Sequence, residues 1–110
     1  MTIEINADKN LTVQKTFGNN IKELLVEELS RFSEQITRVE VHFSDQNGNK
    51  SGLHDKKCLL EARLKTIQPI VVTDRSSTYD LALNGAIDKL KTTIESVLGK
   101  LQIFLFFKLY

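Results

Sequence analysis

Apolar and polar positions alternate in four places along the chain and recur at helical spacing in two, and this pattern predicts the fold. In "TIEIN", Ile3 and Ile5 take one side and Thr2, Glu4 and Asn6 the other, the period of a half-buried strand. "TFGNNIKELLVEELSRF" then places Phe17, Ile21, Leu24, Leu25, Leu29 and Phe32 three and four apart, opposite Lys22, Glu23, Glu27 and Arg31. That spacing predicts a helix over about Asn19 to Phe32. Further on, Val39, Val41 and Phe43 share one face and Arg38, Glu40, His42 and Ser44 the other. After a charged polar stretch, Cys58, Leu60, Ala62 and Leu64 alternate with Leu59, Glu61, Arg63 and Lys65. Two amphipathic strands joined by a long hairpin loop follow from this. "PIVVT", opened by the only proline, Pro69, predicts a short fourth strand.

The clearest helical stripe is Leu83, Ile87, Leu90, Ile94, Val97 and Leu101, with Ser77 and Asp80 as the expected helix start. Gly85 lies inside it, where glycine costs about 1 kcal/mol relative to alanine, so close packing by another element is expected there. Every strand has a single apolar side. The order β-α-β-β-β-α therefore predicts an α+β fold with both helices on one face of a four-stranded mixed sheet, and the other face wet.

A length of 110 residues suits one domain, and 41% hydrophobic with 26% charged residues is ordinary globular composition. "IFLFF" falls far short of the roughly 20 residues of a membrane-spanning helix. "MTIEINADKN" lacks the basic-then-apolar run of a secretory signal, and the single Cys58 cannot close an intrachain disulfide. A cytoplasmic protein without a membrane partner is expected.

The formal net charge is only +1, but its distribution is uneven. Residues 1–49 carry five Lys/Arg and eight Asp/Glu (5 − 8 = −3), and residues 50–110 carry ten and six (10 − 6 = +4). A phosphate-bearing partner would have to meet a local patch in the second half. The lysines there are Lys50, Lys56 and Lys57 around the hairpin loop and Lys89, Lys91 and Lys100 on the second helix, with Lys65 and Arg75 between. Lys89 and Lys91 fall off the apolar stripe, which leaves their ammonium groups open to a partner. The wet sheet face is less favourable, because Glu4, Glu40 and Glu61 offset Arg38, Arg63 and Lys65.

Other chemistry is poorly supplied. Nucleophilic catalysis would need Cys58 with His42 or His54, yet the alternation turns Cys58 toward the helices and His42 toward solvent. His54, Asp55 and Cys58 lack the second ligand pair of a structural zinc site. Gly48 and Gly52 in "QNGNKSG" stand in no nucleotide-binding motif and suit a turn. No enzyme activity, cofactor, metal or small-molecule substrate is expected.

"RFSEQITRVEVHFSDQNGNKSGLHDKKCLLEARL", followed by "PIVVT" and "LNGAIDKL", resembles the short ribosome-associated proteins of the hibernation-promoting factor and ribosome-associated inhibitor A family, also called sigma-factor modulation proteins. The likeness covers residues 1 to about 101, and the apolar segment 102–110 lies outside it. It implies a domain similar to double-stranded-RNA-binding domains that docks in the small ribosomal subunit. There it would exclude messenger and transfer RNA sterically, without catalysis, in stress or stationary phase, held through lysine contacts to rRNA phosphates. Lys89 matches the lysine of the family's "DKL" segment. Thr92 replaces an arginine common in the family, Lys91 stands beside it, and the usual lysine-rich helix end is here "ESVLGKLQ". The expected rRNA contacts are Lys50, Lys56, Lys57, Lys89 and Lys91. The alternative is a non-ribosomal interaction module, or a homodimer, that docks through the tail "QIFLFFKLY".

Overall fold

The computed structural model describes residues 1–7, 15–45 and 55–108, and their side chains except those of 15–18 and 101–108. The elements are β1 (Thr2–Ala7), α1 (Lys15–Glu28), a 3-10 turn (Ser30–Phe32), β2 (Ile36–Asp45), β3 (Lys56–Leu64), β4 (Ile70–Ser76) and α2 (Tyr79–Lys108). The sheet order is β1-β2-β3-β4. β1 runs parallel to β2, with α1 as the crossover that parallel neighbours require, and β2, β3 and β4 form an antiparallel meander.

One side of the sheet carries the core. Val39, Val41 and Phe43 of β2, Cys58, Leu60 and Ala62 of β3 and Ile70 of β4 are buried together with Ile21, Leu25 and Leu29 of α1. Ala82, Ala86, Ile87, Leu90 and Ile94 of α2 complete it. The spacing of apolar residues thus fixes which face of each element is covered, and both helices lie on the same side, as the α+β pattern predicts.

The elements differ from the expected ones at their ends, for local reasons. α1 starts at Lys15 and stops at Glu28, so Phe32 reaches the core from the 3-10 turn. β2 begins at Ile36, where a register shift between Ile36 and Arg38 lets Ile36 point inward although its parity is opposite to that of Val39. Beside this bulge the Thr37 hydroxyl donates to the Arg63 carbonyl at 3.1 Å. β4 continues through Ser76, two residues beyond Asp74. α2 is capped by Thr78, whose Oγ1 accepts the Leu81 N–H at 3.1 Å, with Asp80 in the first turn. Its backbone stays helical to Lys108, about 45 Å in all at 1.5 Å per residue.

Gly85 has the close neighbour that its place in a helix suggests. A Cβ there would run into the carboxylate of Asp74 on β4, with Asp74 Cγ at 2.6 Å. Asp74 is a polar residue on the helix-facing side of its strand, and glycine makes room for it.

Candidate nucleic-acid interface

Of the five lysines expected to contact RNA, the four that are described do not share one face. Lys50 lies outside the described residues. Lys56 and Lys57 open β3, and strand alternation sends them to opposite faces of the sheet. Lys89 and Lys91 are two residues apart on α2, about 200° around the helix axis, so they leave its two flanks.

Three of the described four are already engaged. Lys56, on the helix side at the mouth of the hairpin, donates to Asp45 Oδ2 at 2.8 Å, lies 3.6 Å from Asp55 Oδ2 and sits 5.7 Å from the centre of the Tyr79 ring. The hydrogen bond to Asp45 raises its pKa above the usual lysine value. Asp55 is buried, and Tyr79 meets Phe43 edge-on at 5.4 Å. Lys89 donates to the Thr73 carbonyl at 2.8 Å and to Asp74 Oδ1 at 3.0 Å. Lys91 donates to Glu28 Oε2 at 2.9 Å, tying α2 to the end of α1, and an ion pair between Arg31 and Glu95 adds a second tie. Arg31 also covers the Phe32 ring at 4.8 Å. The sequence leaves Lys89 and Lys91 open to a partner, whereas in the structure each holds a carboxylate.

Lys57 differs. It stands on the open face of the sheet in register with Ser44 of β2 and Arg75 of β4. The open face is ordered in rows across the strands. Farthest from the hairpin loop lie Thr2, Arg38 and Arg63, then Glu4, Glu40, Glu61 and Val71, then Asn6, His42, Leu59 and Thr73, and last Ser44, Lys57 and Arg75. The three glutamates are neighbours, an arrangement that repels itself. Arg38 relieves it by pairing with Glu4 and donating from Nε to Glu40 Oε1 at 3.0 Å. That hydrogen bond holds the Glu40 carboxyl below its ordinary value, against the opposing effect of its burial. His42 Nε2 lies 3.7 Å from Glu40 Oε2, and Arg63 Nε lies 3.6 Å from Glu61 Oε1. The carboxylates of this face are thus confined to one row, and none stands in the two rows nearest the loop among the described residues.

Arg75 is the residue that the sequence pattern undervalues. Extending "PIVVT" by the same alternation places Asp74 toward the helices and Arg75 on the open face; only the strand end at Thr73 hides this. The pairing of Glu28 with Lys91 has no such signal, since 63 positions separate them.

Cys58 is buried, and burial, with a smaller contribution from the Asp74 charge, pushes its thiol up to about 12. It stays protonated at neutral pH and faces away from His42, so this pair makes no nucleophile and base. No described helix is long and apolar enough to cross a membrane.

The architecture matches solved structures. The N-terminal domain of Protein Y from Thermus thermophilus superposes with a TM-score of 0.68 at 15% identity, covering 88% of this chain and 99% of that one. A ribosomal subunit interface protein from Coxiella burnetii gives 0.69 at 16% identity, covering 90% and 99%. At these identities the likeness speaks for the fold alone. No curated protein sequence matches the chain. The sequence pattern described as "Sigma 54 modulation protein / S30EA ribosomal protein" matches residues 3–102, nearly the whole of the folded region. The chain is therefore a member of the sigma-54 modulation and S30EA ribosomal protein family.

Proposed function

We infer that this ribosome-associated protein binds the small ribosomal subunit, occupies the channel of messenger and transfer RNA, and so represses translation during stress or stationary phase. The observation that carries the reading is the family match over residues 3–102 on a fold shared with a ribosomal subunit interface protein. Action by occupancy rather than catalysis agrees with the burial and high pKa of Cys58. A folded wedge of this size needs only phosphate contacts to hold it in an RNA-walled cavity, and such contacts weaken as salt rises. The working location is the cytoplasm, where ribosomes are.

Lys50, Lys56, Lys57, Lys89 and Lys91 are the proposed contacts, but they do not enter on equal terms. For Lys56, Lys89 and Lys91 a phosphate must displace Asp45, Asp74 or Glu28. Lys57 has no such carboxylate among the described residues. The test is sedimentation of the tagged protein with ribosomes through sucrose at two salt concentrations. The expected result is co-migration with small subunits at low salt and release at high salt; absence from those fractions at low salt overturns the proposal.

A second reading has its own observation. The backbone of α2 remains helical to Lys108, well past Ile94, the last fully buried residue among its described side chains. In sequence, 103–107 are five consecutive apolar residues, a composition that favours burial. Deleting residues 102–110 separates the two: a dimer lost with ribosome binding intact supports a homodimer through the tail, and an unchanged oligomeric state removes it.

A further inference from the structure

We propose that Asp74 and Glu28 are intramolecular competitors for RNA phosphate, each masking one lysine of α2, Lys89 or Lys91, so that their carboxylates set how tightly the protein holds RNA. The inference rests on the ribosome-binding reading, in which these two lysines are contacts, and adds what governs them. Lys89 Nζ donates to Asp74 Oδ1 at 3.0 Å, and Lys91 Nζ donates to Glu28 Oε2 at 2.9 Å. A carboxylate oxygen offers an ammonium group the same charge-assisted hydrogen bond that a phosphate oxygen offers. The lysines leave α2 on opposite flanks, yet each meets an acid from a different element, Asp74 of β4 and Glu28 at the end of α1.

Stability does not account for Asp74. It stands on the helix-facing side of β4, in register with the buried Cys58, where the alternation calls for an apolar residue. The helix makes room for it with Gly85, since a Cβ there would lie 2.6 Å from Asp74 Cγ, and glycine inside a helix is unfavourable relative to alanine. The ammonium group that Asp74 holds also donates to the Thr73 carbonyl at 2.8 Å, so two acceptors draw Lys89 back against β4. In return the domain gains a pair whose lysine side chain is 55% exposed, and exposed pairs add little to stability. Residues that cost stability are expected where function requires them.

The same exposure makes the masks removable. The side chains of Lys91 and Glu28 are 30% and 38% exposed, so this pair too is open to an approaching RNA strand. Breaking a surface pair shifts an equilibrium by at most about fivefold. An RNA-walled cavity presents several phosphates at once and recovers that cost, so the masks lower affinity without abolishing it.

The experiment measures co-sedimentation with purified small subunits at low salt for the full-length wild type, Asp74→Asn and Glu28→Gln. Each acid variant is also combined with loss of its own lysine, Lys89→Gln or Lys91→Gln, and the lysine variants are measured alone. Melting temperatures check folding, and Glu28→Gln, which lies away from the Gly85 contact, decides if Asp74→Asn unfolds. The expected result is binding about two- to fivefold tighter than wild type for each acid variant, with a gain at least about twofold smaller once the partner lysine is gone. An equal gain with and without the lysine shows that the acid merely repels RNA, and overturns the mask. A folded acid variant that binds no tighter than a binding wild type also overturns it and leaves the ribosome-binding reading intact. Failure of wild type and acid variants alike to bind overturns both.

Discussion

Replacing Gly85 by alanine should lower stability, although the same change in an ordinary exposed helix raises it by about 1 kcal/mol. The new methyl group has nowhere to go, because Asp74 fills the space with its Cγ at 2.6 Å and its Cβ at 3.3 Å from the added carbon. Either the carboxylate swings out or α2 lifts from β4. Swinging out breaks the Lys89–Asp74 hydrogen bond, a pair whose lysine side chain is 55% exposed, at a cost of about 0.5–1 kcal/mol. Overpacking of the helix–strand contact adds about 1–3 kcal/mol. Set against the propensity gain of about 1 kcal/mol, the net is a loss of about 0.5–3 kcal/mol, each kcal/mol lowering the melting temperature by roughly 4–8 °C in a domain of about this size. Thermal unfolding followed by circular dichroism measures it. Removing the obstacle reverses the sign: in an Asp74→Ala background, Gly85→Ala should stabilise by up to about 1 kcal/mol. A stabilising Gly85→Ala in the wild-type background, or an equal effect in both backgrounds, refutes the steric argument.

Cys58 should react with a thiol reagent only on unfolding, since at pH 8 a thiol of pKa about 12 is ionised in roughly one molecule in ten thousand; stoichiometric labelling of the native protein within minutes would contradict its burial. Leu90→Ala should cost about 3 kcal/mol by opening a cavity at a fully buried position on α2, and a denaturant midpoint near that of wild type would show that the helix is not seated as described. Glu40, whose pKa is lowered chiefly by Arg38, contributes stability above the usual carboxyl pKa of 4.5, and loses it as pH falls through its lower folded value. Arg38→Gln should therefore destabilise at pH 7 and progressively less as pH falls through the lowered folded value of Glu40; a melting-temperature difference that stays constant from pH 7 to pH 3 would rule out the pairing.

The fold was readable because burial repeats with the period of each element. Val39, Val41 and Phe43, or Leu83, Ile87, Leu90 and Ile94, need no tertiary knowledge to be placed. The bulge before Arg38 was not readable, since it inverts parity for one residue, Ile36, that is apolar either way. Charge pairing was the least legible level. Periodicity says that Lys89 and Lys91 avoid the apolar stripe; it does not say that one flank of α2 faces Asp74 and the other Glu28. Those partners come from other elements, and only the packed arrangement brings them within 3 Å. The same limit kept Arg75 from standing out beside Lys57, because cross-strand register depends on where β4 ends.

The parallel pairing of β1 with β2 sets an order of assembly. β2, β3 and β4 are antiparallel and successive in the chain, and α2 follows at once, so each of these four elements packs against its neighbour in sequence. β1 must instead find a partner across the whole of α1, a contact such as Ile3 with Val39 spanning 36 positions, and it gains hydrogen bonds along one edge only. The N-terminal strand should dock late and leave early, its amides exchanging with solvent ahead of those in β3. During synthesis β1 emerges before its partner and waits, unpaired, until β2 has followed it out.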